Sequence, residues 1–196
     1  LDKINGGVER GTLDIAKELI NKGYESAILS SGGEMAEKYK YIGVEHYQLK
    51  LRKKGILSYV SLRMKIREIF EKINPDIIHV RSRWPAFCFN NLIKQMKIPL
   101  VTTFHGTYSG NNFILKKYYN SVMTDGDKVI TISKFIDDHV RYNFPKSKSK
   151  LVKIDRGIDT DYFNLQSVTQ KRKEILLSKL SLSEKVHIFL LPAGLT

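Results

Sequence analysis

Four short stretches of this sequence place glycine, basic, hydroxyl or carboxylate residues where anion or sugar chemistry would need them. The run Asn5-Gly6-Gly7-Val8-Glu9-Arg10-Gly11 sets adjacent glycines directly before an amphipathic segment. Backbone N–H groups at a helix start, carrying about half a positive charge, can approach a phosphate or a hydroxyl there. A tight strand-to-helix turn would use the same glycines, and the spacing is not G-x-G-x-x-G, so dinucleotide binding gains little support. Arg81-Ser82-Arg83-Trp84-Pro85 offers two guanidinium groups that suit clamping a phosphate or orienting a sugar, with ordinary surface charge as the alternative. His105-Gly106 follows an apolar run, where an imidazole meets a sugar hydroxyl or a developing charge. His46, His79, His139 and His187 have no such placement and read as structural or exposed.

The fourth stretch, residues 155–163, contains Asp159-Thr160-Asp161. Two carboxylates at this spacing invite a divalent cation bridging a diphosphate. Beside Arg156 and Gly157, however, Asp159 is better placed to cap a turn. No H-E-x-x-H or C-x-x-C occurs, so no metal is expected.

These stretches need a scaffold, and the hydrophobic pattern describes one. Short β-rich runs at residues 25–30, 44–49, 76–80, 99–104, 128–132, 151–154 and 186–191 alternate with amphipathic segments at 8–21, 58–73, 86–96, 114–123 and 133–142. That order predicts an α/β fold, a Rossmann-like parallel sheet with flanking helices. In the first helix Val8, Leu13, Ile15, Ala16, Leu19 and Ile20 are expected to form one stripe that ends at Gly23. In such sheets ligands gather at the carboxyl ends of the strands, where the four stretches fall. Residues 146–150 read as a surface loop, and 165–184 as a connector with a short helix. The glycine turn arrives after only four residues, so the first strand is expected to be incomplete.

With 196 residues, 42% of them hydrophobic, the chain can build a sizeable core, which excludes intrinsic disorder. Cys88 is the only cysteine, so a reducing compartment is the simpler expectation. The longest nearly apolar stretch, 187–195, is broken by Pro192 and Gly194 and is far shorter than the roughly 20 residues of a membrane span. No secretory leader is expected either. The net charge of +13 favours anionic partners. Lys50-Leu51-Arg52-Lys53-Lys54, and Lys116-Lys117-Tyr118-Tyr119 beside Phe113, Ile114 and Leu115, suit an anionic bilayer surface, with a solvated basic face as the alternative. Nucleic acid is not expected, because the charge is spread along the chain with no recognition motif. A basic α/β module that binds nucleic acid or a membrane surface stays as the alternative reading.

Five segments in this order resemble the N-terminal domain of a GT-B glycosyltransferase of family 4, the retaining group that includes lipopolysaccharide and capsule sugar transferases. They are Gly6-Gly7-Val8-Glu9-Arg10-Gly11, Asp76-Ile77-Ile78-His79-Val80-Arg81-Ser82-Arg83, Val101-Thr102-Thr103-Phe104-His105-Gly106, Lys128-Val129-Ile130-Thr131-Ile132-Ser133 and Arg156-Gly157-Ile158-Asp159. The resemblance implies an acceptor-binding domain over residues 1–164, a connector over 165–184, and the start of a truncated donor domain over 185–196. It implies that Gly6 and Gly7 lie near the donor diphosphate and the acceptor, and that His105 meets the donor sugar near the reacting carbon. Arg81 and Arg83 would line the acceptor side, with Ser133, Arg156 and Asp159 supporting the cleft. It implies no cofactor, a sugar nucleotide as substrate, and a saccharide or lipid-linked acceptor in envelope polysaccharide synthesis, at the cytoplasmic face of the membrane. In Leu190-Leu191-Pro192-Ala193-Gly194-Leu195-Thr196 the family's expected Arg is replaced by Gly194, and neither its Lys nor its E-x7-E motif is present. The chain alone is therefore expected to be inactive.

Overall fold

The computed structural model describes residues 7–33, 35–49, 56–108, 113–183 and 187–189. The chain divides after Arg156 into two compact units. In the first, six parallel strands alternate with helices: α1 (Gly7–Asn21), β1 (Ala27–Ser30), α2 (Met35–Tyr41), β2 (Glu45–Gln48), α3 (Ile56–Ile73), β3 (Ile78–Val80), α4 (Arg83–Gln95), β4 (Leu100–Phe104), α5 (Ile114–Ser121), β5 (Lys128–Thr131), α6 (Lys134–Asn143) and β6 (Leu151–Lys153). β1 pairs with β2, and β3-β4-β5-β6 form a four-stranded sheet in sequence order. The registers run Ala27↔Glu45, Ile78↔Leu100, Val101↔Lys128 and Val129↔Leu151. The strand expected before Gly6 lies outside the described residues.

The central strand β4 is short and almost wholly buried, as a strand covered by helices on both faces must be, while in β5 Val129 and Thr131 are buried and Lys128 is exposed. Leu100, Phe104 and Val129 pack against Ile66 and Phe70 of α3, Leu92 and Ile93 of α4, and Val140 of α6 in the main core. The polar residues buried with them are partnered. Thr102 Oγ1 donates to the Met123 carbonyl at 2.6 Å, and Thr131 Oγ1 to Asp137 Oδ1 at 2.8 Å. Asp137 in turn is held by Arg141, and its carboxyl lies below its ordinary range despite the opposing effect of burial. The outer strands β2 and β6 are more exposed than the continuous apolar pattern predicts.

A smaller cluster lies under α1 and α2, where Leu13, Ala16 and Ile20 pack with Ile28, Tyr39 and Val44. The α1 stripe is narrower than its sequence suggests, since Ile15 is 43% and Leu19 37% exposed. Gly23, at φ +80°, ends the helix in the left-handed region that favours glycine. α2 has no counterpart in the hydrophobic pattern, because its two turns bury little besides Tyr39. Residues 146–150, expected as a surface loop, belong to a 3-10 helix over Pro145–Lys150 in which Ser147 Oγ donates to the Phe144 carbonyl at 2.8 Å.

The second unit contains a 3-10 turn at Leu165–Ser167 and the exposed helix α7 (Gln170–Lys179), each with a side-chain cap, from Asn164 and Thr169. Residues 187–189 form no strand; the rest of the 186–191 run lies outside the described residues. Among the described residues no helix is long and apolar enough to cross a membrane.

At the turn into β5, a Cβ on Gly126 would stand 2.5 Å from the Lys128 carbonyl oxygen and 2.9 Å from Thr102 Oγ1. Backbone cannot yield there cheaply, so Gly126→Ala is expected to lower the unfolding free energy by ~1–3 kcal/mol. Gly106→Ala, with nothing within 4 Å of its Cβ, serves as the near-neutral control. Denaturant unfolding of both variants checks this.

Candidate substrate-binding site at the sheet edge

The carboxyl ends of β3 and β4 deliver Arg81 and His105, the chain beyond β6 delivers Arg156, and α1 begins beside them at Gly7. Arg156 joins these pieces. Its Nη1 donates to the Gly7 carbonyl at 2.9 Å, and its Nη2 meets His105 Nδ1 at 3.1 Å. The approach needs a bare helix face. A Cβ at Gly7 would stand 2.5 Å from Arg156 Nη1, and one at Gly11, a turn further on, 3.1 Å from Arg81 Nη2.

A guanidinium only donates hydrogen bonds, so His105 Nδ1 accepts and the ring proton sits on Nε2. Burial, then the cations Arg81 and Arg156, and then His79, push the His105 pKa down to about 3. The ring is therefore neutral at physiological pH and presents an N–H, which suits donation to a substrate oxygen better than proton abstraction. Its Nε2 is buried with no hydrogen-bond partner. Arg81 is lowered to about 10, first by burial and then by Arg156, so it stays charged at pH 7. Its Nε is likewise buried and unpartnered. Beneath the pair, His79 Nε2 lies 2.6 Å from Thr103 Oγ1, and burial followed by Arg81 holds its pKa at about 4. Tyr39 rises to about 12 through burial and then Glu9, against the opposing pull of Arg81.

Of the residues singled out in the sequence, Gly7, Arg81, His105 and Arg156 come together. Arg83 has other partners. Its guanidinium lies 4.2 Å from the Tyr108 ring centre and 5.5 Å from that of Tyr119, while Nη1 donates to Asn120 Oδ1 at 2.8 Å. It fastens the start of α4 to α5 and to the loop after β4, whose Tyr108 hydroxyl is hydrogen-bonded to the His105 main chain. Ser133 caps α6, accepting from the Ile136 N–H at 3.3 Å. Asp159, in the second unit, accepts from the Tyr162 N–H at 3.0 Å and so closes a turn. Gly6 lies outside the described residues. No cluster of three His, Cys, Asp or Glu suited to a metal ion occurs among the described residues. His79, expected as structural or exposed, is structural beneath Arg81, and Gly11 joins Gly7 on the helix face that meets the guanidinium groups. The sequence signal for Gly11 is its spacing, four residues after Gly7 on one helix face.

In uniformly labelled protein, long-range proton–nitrogen spectra are expected to show His105 as the neutral Nε2–H tautomer from pH 7 down to about pH 4. Arg156→Lys, which still donates, should keep that tautomer. Arg156→Met should release it and raise the pKa, because a repelling cation has gone. An Nδ1–H ring in the unmodified chain would contradict the assignment. Since the folded pKa lies below the unfolded one, the site costs stability as pH falls from about 6.5, where only the unfolded ring takes up a proton.

Residues 5–162 match the model of Glycosyltransferase Family 4. The chain is 24% identical over 185 residues to the N-acetyl-alpha-D-glucosaminyl L-malate synthase of Bacillus anthracis, covering 89% of this chain and 48% of that protein. It is 27% identical over 161 residues to an uncharacterized glycosyltransferase of Methanocaldococcus jannaschii, covering 80% and 44%. Among solved structures, a glycosyltransferase from Rickettsia africae superposes with a TM-score of 0.80 at 35% identity, covering 94% of this chain and 48% of that one. Anabaena HepE, in complex with UDP and glucose, superposes at 0.68 with 16% identity, covering 89% and 47%. The chain thus spans about half the length of these relatives. The fold is the Rossmann-like α/β arrangement of GT-B glycosyltransferases, and with most of its length matched the chain belongs to Glycosyltransferase Family 4.

Proposed function

We propose that these residues form the acceptor-binding half of a retaining glycosyltransferase that moves a sugar from a sugar nucleotide to a saccharide or lipid-linked acceptor in envelope polysaccharide synthesis. The observation that carries this reading is the meeting of Gly7, Arg81, His105 and Arg156 at the carboxyl edge of a parallel sheet in a family 4 chain. Support for the donor class comes from Anabaena HepE, which was solved with UDP-glucose. In the reaction the acceptor oxygen bonds to the anomeric carbon as the bond to the nucleoside diphosphate breaks, the hydroxyl proton passes to the departing phosphate oxygen, and configuration is kept. His105 lies beside the donor sugar near that carbon, its ring held in place by Arg156, and Arg81 faces the acceptor. No metal or cofactor is required of these residues.

Charge on the departing diphosphate has to be compensated in the transition state. This reading assigns that task to the part of the longer relatives that this chain does not span. The 196 residues by themselves are therefore expected to bind without turnover. Incubation with UDP-sugars and saccharide or lipid-linked acceptors should yield no product from the chain alone, and a glycoside of retained configuration once the complementary half is supplied. Robust turnover by the chain alone would refute the division of labour.

The acceptor end of the reading places the protein at the cytoplasmic face of the membrane. Phe113, Ile114 and Leu115 are 71%, 87% and 84% exposed at the start of α5, next to exposed Lys116 and Lys117. An apolar wedge with adjacent cations suits an anionic bilayer. Co-sedimentation with vesicles should rise with phosphatidylglycerol content and fall on Ile114→Ser with Leu115→Ser. Binding indifferent to anionic lipid would remove the membrane from the reading.

A further inference from the structure

We propose that Arg81 and the His105 Nε2–H form a seat for one oxyanion, a phosphate or carboxylate group carried by a substrate. The seat rests on the glycosyltransferase reading only for which substrate delivers the charge.

The charge at this edge of the sheet is unmatched. Arg156 lies close enough to Arg81 to act on it electrostatically, and both depress the neighbouring His105. Among the described residues neither makes a salt bridge, although ion pairs such as Arg10–Asp14 and Arg141–Asp137 form there. Arg156 spends two donors on neutral acceptors, the Gly7 carbonyl and His105 Nδ1. Arg81 is without even that at Nε, which is buried and unpartnered. Withdrawing a guanidinium from water beside a second one is costly unless an anion or several acceptors answer it.

The second part is the direction of the unmet hydrogen bonds. Because Arg156 fixes the tautomer, the buried Nε2 of His105 is a donor, as is Arg81 Nε. Two orphaned donors and two guanidinium charges call for a group that only accepts. A neutral sugar hydroxyl would satisfy one N–H and leave the charge unanswered, whereas a phosphate or carboxylate answers both. The bare face of α1 at Gly7 and Gly11, against which the two guanidinium groups lie, leaves no side chain of its own to fill that role.

The full chain, nitrogen-labelled, is titrated separately with glycerol 3-phosphate, succinate, UDP and methyl α-glucopyranoside. The phosphate or carboxylate probes should move the Arg81 Nε and His105 Nε2 resonances, and methyl glucopyranoside should not. Arg81→Gln should weaken oxyanion binding about tenfold to hundredfold, with Arg81→Lys between the two. If Arg81→Gln fails to fold, the resonance shifts of the unmodified protein decide. Simultaneous binding of UDP and glycerol 3-phosphate would assign the seat to the acceptor, whereas mutual displacement would assign it to the donor diphosphate. Oxyanions that leave both resonances unmoved, or bind equally well to Arg81→Gln, would overturn the seat. Sugar transfer by the reassembled enzyme, insensitive to Arg81→Gln, would overturn it while leaving the glycosyltransferase reading intact. Oxyanion binding without transfer would do the reverse.

Discussion

A single guanidinium bridges three segments that the chain keeps far apart. Arg156, beyond the last strand of its unit, reaches the first described residue of α1 and the imidazole that follows β4. The bridge works only because Gly7 has no side chain, and its value lies in what it does to His105. A buried imidazole left to itself can carry its proton on either nitrogen. With a permanent donor on Nδ1 that freedom is gone, and the opposite nitrogen becomes a directed N–H. The same cation, with Arg81, makes protonation of the ring unfavourable, so the group behaves as a fixed dipole and not as an acid or a base.

The sheet supplies the rigidity that such a device needs. β3 and β4 are short, and each ends in one of the site residues, so a small tilt of either strand would open the cluster. Threonines at buried positions of β4 and β5 resist that tilt by tying side chains to neighbouring elements. Thr102 binds the turn after α5, Thr103 meets His79, and Thr131 meets Asp137 of α6. A valine of similar size would pack equally well and leave Asp137 and the Met123 carbonyl with fewer partners. Arg83 contributes from the other side by gripping the loop after His105 through Tyr108.

How much of this was legible in the sequence depends on the range over which each feature is encoded. Strands and long helices are written in local periodicity, and six of the seven anticipated strands appear close to their expected positions. The position of His105 followed from the same logic, as the residue after a buried run. Separating Arg81 from Arg83 would have required knowing that the aromatic rings of Tyr108 and Tyr119 fold back onto the second arginine. Those rings lie 25 or more residues downstream, and nothing near Arg83 announces them. α2 escaped notice because two turns with one buried tyrosine leave too short a pattern to read. The bond from Arg156 to Gly7 spans 149 positions and depends on the whole sheet being built first.

The contrast between the two arginines of Arg81-Ser82-Arg83 shows how a fold assigns chemistry to residues of one type. Residues two apart on an extended segment share a face, but α4 starts at Arg83, and the change from extended to helical backbone turns the two side chains toward different neighbours. Arg83 then meets a carbonyl oxygen and two aromatic faces, all of which disperse its charge without opposing it. Arg81 meets a second cation, a bare helix face, the Tyr39 hydroxyl and two neutral imidazoles. Helix N-termini tolerate an arginine that is well partnered, whereas an arginine beside another is kept in place only by the surrounding structure. Two cations are therefore brought together at the edge of the sheet where the glycines of α1 leave room.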